Sequence, residues 1–106
     1  MSFIEQTEKE IDTLNSSETI QYMGYIDNNP SEKWGKVFYN IKSNRGKTVC
    51  PFTRYSHKKA SQYIYFDKRF GSYTIKCRHS DCKHKQIRKN MFYFKPKVYD
   101  IPYIEF

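Results

Sequence analysis

Ile4, Ile11 and Leu14 recur on one face of a 3.6-residue period, and Ser2-x-x-Glu5 ahead of them has the form of a capping box. A short helix is predicted there, ended by Asn15-Ser16-Ser17. Beyond it the period shortens. Residues 19–26 mix β-branched and aromatic side chains and predict a strand, closed by the turn chemistry of Asp27-Asn28-Asn29-Pro30. Within residues 34–41, Val37, Tyr39 and Ile41 alternate with Phe38 and Asn40, the period of a half-buried strand. A second turn at residues 43–46 leads into Thr48-Val49-Cys50. Residues 62–66 and 72–77 are two further strands, joined by the five residues Asp67-Lys68-Arg69-Phe70-Gly71 as a hairpin. On the returning strand Tyr73, Ile75 and Cys77 share a face. After Cys82 the pattern dissolves into a basic stretch, then an aromatic one in which Pro96 and Pro102 argue for extended or edge structure.

The expected fold is therefore α+β and mainly β: a short N-terminal helix, a small antiparallel meander and a metal-stapled β-ribbon. Residues 1–46 hold the acidic helix and a strand segment, 47–95 the ribbon, and 96–106 an aromatic tail, in one compact domain. That tail is expected to pack back onto its own meander rather than to take a partner as an added strand.

Charge divides the chain unevenly. Residues 1–32 carry seven acids and one base, a net −6, whereas residues 33–106 carry eighteen bases and four acids, a net +14. Such a basic excess suits a polyanion. No apolar run approaches the ~20 residues that span a bilayer, and no signal peptide opens the chain, so no membrane partner is expected. Apolar residues make up only 38% of the chain, which implies a thin core in want of a staple. The three cysteines are a poor disulfide framework and a good metal set, and they place the chain in an intracellular, reducing compartment.

Cys50, His57, Cys77 and Cys82 form the pattern C-x6-H-x19-C-x4-C. Zinc takes four such ligands in a tetrahedron, and Cys3His is a usual structural set. Two local pairs joined by a hairpin can converge on one ion, and all three cysteines are used. Reduced cysteines buried as small apolar residues would be the ordinary alternative. The polar neighbours Lys76, Arg78, His79, Asp81 and Lys83 argue against it. His79 and His84 are competing donors, read as surface or supporting residues because four ligands already close the site. A closed site implies one structural Zn2+, not a catalytic ion with an open position. Its binding would add to folding on the order of 10–16 kcal/mol, as in zinc-finger peptides.

Cys50-Pro-Phe-Thr-Arg54-x-x-His57-Lys58, a hairpin, then Tyr73-x-x-Lys76-Cys77-x-x-x-x-Cys82-Lys83 resembles the zinc-binding domain of primase-polymerases (PrimPol). The same module occurs in the primase subunit of the herpesvirus helicase–primase and in primases of other large DNA viruses, the source the resemblance suggests. It covers about residues 47–95. By that resemblance Cys50, His57, Cys77 and Cys82 are the zinc ligands, and Arg54 contacts phosphate. In the family this module follows an archaeo-eukaryotic primase core and helps hold the template strand and the initiating nucleotide. The core's metal-binding carboxylates have no counterpart: Asp67, Asp81, Asp100 and Glu105 are scattered. The chain is thus expected to be a non-catalytic module, standing apart or cut from a larger primase, that works with a separate catalytic core or replication helicase. Residues 1–46 match nothing in that family.

The expected nucleic-acid contacts are Arg54, Lys58, Lys59, Arg69, Lys76, Arg78 and Lys83, with Tyr55, Tyr63, Tyr65, Phe70 and Tyr73 interleaved as stacking faces or as ribbon core. Single-stranded DNA or a primer–template is the expected partner. The alternative is a zinc-stabilised protein-interaction or transcription-associated adaptor. Walker A, Rossmann glycines, H-E-x-x-H and the deaminase signature are absent.

Overall fold

Ser2 begins the first helix, α1 (Phe3–Leu14), by closing the capping box in both directions. Its Oγ accepts from the Glu5 N–H at 3.2 Å, and Glu5 Oε1 accepts from the Ser2 N–H at 2.9 Å. Those hydrogen bonds hold the Glu5 carboxyl below its usual range, in an exposed position where the effect concerns the cap alone. The computed structural model describes residues 2–43, 50–52 and 62–94. The expected turn over residues 43–46 and the tail from residue 96 onward lie essentially outside them.

Ser17 starts a second helix, α2 (Glu18–Met23), by accepting from the Ile20 N–H at 3.3 Å. This corrects the strand expected over residues 19–26, of which only β1 (Tyr25–Ile26) is extended. The short run fits either period. A capped first turn with Ile20 and Met23 three residues apart puts both into the core, and that burial decides the outcome. Gly24 ends the helix at φ 144°, and a Cβ there would stand 1.9 Å from the Lys42 carbonyl oxygen. Only glycine allows so close a crossing.

Five more strands complete an antiparallel sheet: β2 (Ser31–Lys33), β3 (Lys36–Lys42), β4 (Gln62–Asp67), β5 (Ser72–Cys77) and β6 (Ile87–Asn90). β3, β4, β5 and β6 are neighbours in that order, and β1 and β2 both pair with β3. The expected strand pattern at Val37, Tyr39 and Ile41 is present, as are both strands of the ribbon. Asp67 extends β4 by one residue, so four residues connect the hairpin where five were expected. Its Oδ1 accepts from the Arg69 N–H at 2.9 Å, and Gly71 closes the loop at φ 60°. β6 went unrecognised because its side chains are mostly charged. It is an edge strand whose lysine and arginine discourage further pairing, while Ile87 faces Ile75.

Register assigns each strand two faces. Val37, Tyr39, Ile41, Ile64, Phe66, Tyr73 and Ile75 point inward and are buried against Ile11, Leu14, Ile20 and Met23 of the helices. This core runs from α1 to Met91 without a break at residue 46. Thr7 Oγ1 and the Tyr39 hydroxyl share a 2.7 Å hydrogen bond inside it. Buried Glu10 accepts from the Tyr93 N–H, and the Tyr93 hydroxyl meets Thr13 Oγ1 at 3.0 Å. Phe94 sets its ring edge-on to Phe3 at 5.0 Å. The aromatic segment after β6 is thus fastened to α1. No helix among the described residues is long and apolar enough to cross a membrane.

Candidate metal centre and the outer face of the sheet

A second, separate cluster lies at one end of the ribbon. Cys77 closes β5, and a 3-10 turn at Ser80–Cys82, held by the Cys82 N–H donating to the His79 carbonyl at 2.9 Å, returns Cys82 toward it. Cys50 arrives from before β4. The three Sγ atoms lie within 4.8 Å of one another, all buried, with Cys50 and Cys82 at 3.5 Å. A disulfide is excluded at that separation, since S–S bonds are about 2.05 Å. The separations bracket the ~3.8 Å edge of a tetrahedron with 2.3 Å metal–sulfur bonds. A buried Cys50/Cys77/Cys82 cluster that can hold a metal ion is therefore present.

Without an ion, the cluster favours neutral thiols. Burial, then hydrogen bonds from Cys50 and Cys77, pushes the Cys82 thiol up to about 12. Three thiolates coexist in such a place only around a cation, which reverses the local preference. Gln62, fully buried and directly opposite Cys77 in the β4–β5 register, donates from Nε2 to Cys77 Sγ at 3.3 Å. Amide donors of this kind orient a ligating thiolate and spread its charge. Phe52 packs on the cluster as its apolar lid. Sequence reasoning missed both residues; Gln62 was within reach, because pairing two strands that end at residues 62 and 77 places them side by side.

His57 lies outside the described residues. Among the described residues the sulfur cluster closes at three, and neither half-buried His79 nor exposed His84 joins it. Arg54, Lys58 and Lys59 are likewise outside. Arg69 sits at the hairpin tip, near Asp67 at 3.9 Å and with its guanidinium 4.5 Å from the Phe70 ring. The tip is the far end of β5 from Cys77, about 17 Å away for a six-residue strand. Lys83 is exposed just after the 3-10 turn at Ser80–Cys82. Lys76 and Arg78 lie on the sheet face opposite the helices. Of the four expected contacts that are described, Arg69 stands at the opposite end of the ribbon from Arg78 and Lys83.

That outer face has its own pattern. Phe38, Tyr63 and Tyr65 stand on adjacent strands, with Phe38–Tyr65 centroids 5.3 Å apart and Tyr63–Tyr65 6.4 Å at an interplanar angle of 28°. Arg78 lies 4.5 Å over the Tyr63 ring and donates to Asn40 Oδ1 at 3.0 Å, while Lys36 lies 4.9 Å over Tyr65. Tyr73, grouped with these tyrosines on sequence grounds, faces the core.

No protein-family model matches the chain, and no curated protein or solved structure matches it.

Proposed function

We propose that the chain is a non-catalytic zinc-binding module that holds single-stranded DNA or a primer–template and assists primer initiation in DNA replication. The observation that carries this reading is the convergence of Cys50, Cys77 and Cys82, three ligands of the primase-polymerase pattern, into one buried cluster. Zinc fits a sulfur-rich set of this kind, with His57 as the fourth ligand that the spacing implies. Once bound, zinc supplies a crosslink between the approach to β4 and the end of β5. The chain's own residues do the binding: Arg78 and Lys83 flank two of the ligands, so the crosslink fixes two cations in place. The large basic excess supports a polyanionic partner. Catalytic carboxylates would come from a separate primase core, and a replication helicase is the other partner the reading allows.

The test joins metal content to binding and priming. Purified protein should hold one equivalent of zinc, and Cys77→Ser should lose both the metal and cooperative folding. Wild-type protein should bind single-stranded DNA with a log–log salt slope of about −2 to −4, as three to five phosphate contacts give. It should also raise primer synthesis by a primase core that lacks its own zinc module. Metal-free, cooperatively folded Cys77→Ser would refute the metal site. Weak, salt-insensitive binding would return the chain to the class of zinc-stapled protein-interaction adaptors.

A further inference from the structure

We infer that the outer face of the sheet, built from Phe38, Tyr63 and Tyr65 with Trp34 at its rim, is a base-stacking platform for single-stranded DNA. The inference rests on the nucleic-acid reading above and assigns it a surface.

Three observations converge. The first is composition by face. Alternate residues of β3 and β4 that would ordinarily be polar on a solvent side are Phe38, Tyr63 and Tyr65, half-buried and in mutual contact. An aromatic set on one side of an antiparallel sheet is how sheet-based binders hold two or three splayed bases.

The second is charge. Lys33 and Lys36 lie on this face at one side, and Lys76 and Arg78 at the other, the latter directly after a metal ligand. Arg78 and Lys36 lie over the tyrosine rings on long side chains that can swing to phosphates and yield the ring faces to bases. An open groove of about 460 Å³ between Trp34, Phe38, Asn40, Tyr63 and Arg78 is wide enough to seat a base beside them.

The third observation is Trp34 itself. It occupies the first position of the two-residue turn between β2 and β3 at φ 53°, with Gly35 at φ 74°. A turn of this hand prefers Asn-Gly, and a bulky residue in the left-handed region is a true outlier. Trp34 is nonetheless 86% exposed, so packing within the described residues does not account for it. A large apolar ring kept in water at a conformational cost, beside an aromatic groove ringed with cations, points to a flat aromatic ligand.

The occupant is single-stranded DNA because the face offers π surfaces and positive charge together. A peptide occupant is the competing outcome. The experiment is anisotropy of a short labelled oligothymidylate with full-length protein, repeated with a strand of abasic residues of the same length. Trp34→Asn restores the preferred turn sequence and should keep or raise the melting temperature, yet weaken oligothymidylate binding about tenfold, the loss of one stacked base. Tyr63→Leu keeps apolar packing, removes the π face and should weaken binding similarly with zinc content unchanged. The abasic strand should bind wild-type protein and both variants with equal, lower affinity. If wild-type protein binds oligothymidylate and neither variant weakens it, the platform is overturned while the nucleic-acid reading stands; that is also the result a peptide surface would give. Equal binding of abasic and base-bearing strands overturns stacking in the same way. If wild-type protein binds neither strand, the broader reading fails, and the platform with it.

Discussion

The two faces of this sheet are made from the same kinds of residue and put to opposite uses. On β4, Ile64 and Phe66 point inward and are fully buried, while Tyr63 and Tyr65, one residue away, point outward under arginine and lysine. Inner Tyr39 has its hydroxyl taken by Thr7 and its ring set edge-on to Phe66 at 5.8 Å. Outer Tyr63 has an arginine over its ring instead. Aromatic content therefore does not measure core size. In a chain with 18% aromatic residues and a mean hydropathy of −0.89, a share of the rings is spent on the surface.

The two faces differ most in stability at β4. Phe66→Ala should destabilise the protein by about 3–5 kcal/mol through lost burial and a cavity. Tyr65→Ala, half-buried on the other side of the same strand, should cost less, about 1–2 kcal/mol. Urea unfolding with zinc present measures both, and equal losses would make the outer face a second core. Two of the three glycines at positive φ, Gly24 and Gly35, extend the contrast. Gly24→Ala drives a methyl into the Lys42 carbonyl and should cost on the order of 2–3 kcal/mol. At Gly35, where an added Cβ meets nothing within 4 Å, alanine should lose only the ~1–2 kcal/mol of left-handed strain.

The smallest effect is alkaline. Burial raises Tyr39, with the Thr7 hydrogen bond opposing it, and burial followed by the charge of Glu10 raises Tyr73. Folding thus favours their neutral forms. The associated stability is full below the unfolded value near pH 10 and is lost as pH climbs through the folded values. Tyr39→Phe should flatten that alkaline decline while costing about 1 kcal/mol at neutral pH. Melting curves from pH 8 to about 11 would show it. A decline left unchanged in Tyr39→Phe would mean that the inner hydroxyl does not titrate differently on folding.

Much of this was legible in the sequence because its signals are local or redundant. The Ser2–Glu5 cap, the alternation through Val37, Tyr39 and Ile41, and the paired strands before Cys77 each have one sensible reading. The cysteine spacing anticipated a cluster that only strand pairing could close. The failures have a common cause. Residues 18–23 are short enough to satisfy both periods, and what selected the helix was the burial of Ile20 and Met23 against elements distant in the chain. β6 is written in charged residues and is held by pairing to β5, which no one-dimensional pattern encodes. The hairpin also carries Arg69 to one end of the strands and Arg78 to the other, a separation that spacing along the chain does not show. Gln62 follows from pairing the two predicted ribbon strands, and Phe38 falls on the outer face by the alternation along its own strand, but what each side chain touches comes from the folded sheet.

Trp34 also sets how the protein fluoresces. It is the chain's sole tryptophan, and it stands in water at the turn between β2 and β3. Its emission should already be red-shifted in the native protein and should change little when the chain unfolds. Anyone following denaturation by tryptophan fluorescence would see a nearly flat trace and take a folded protein for an unfolded one. The same indole should respond strongly to anything laid over the turn, so its spectrum reports on the surface of this molecule and scarcely on its interior.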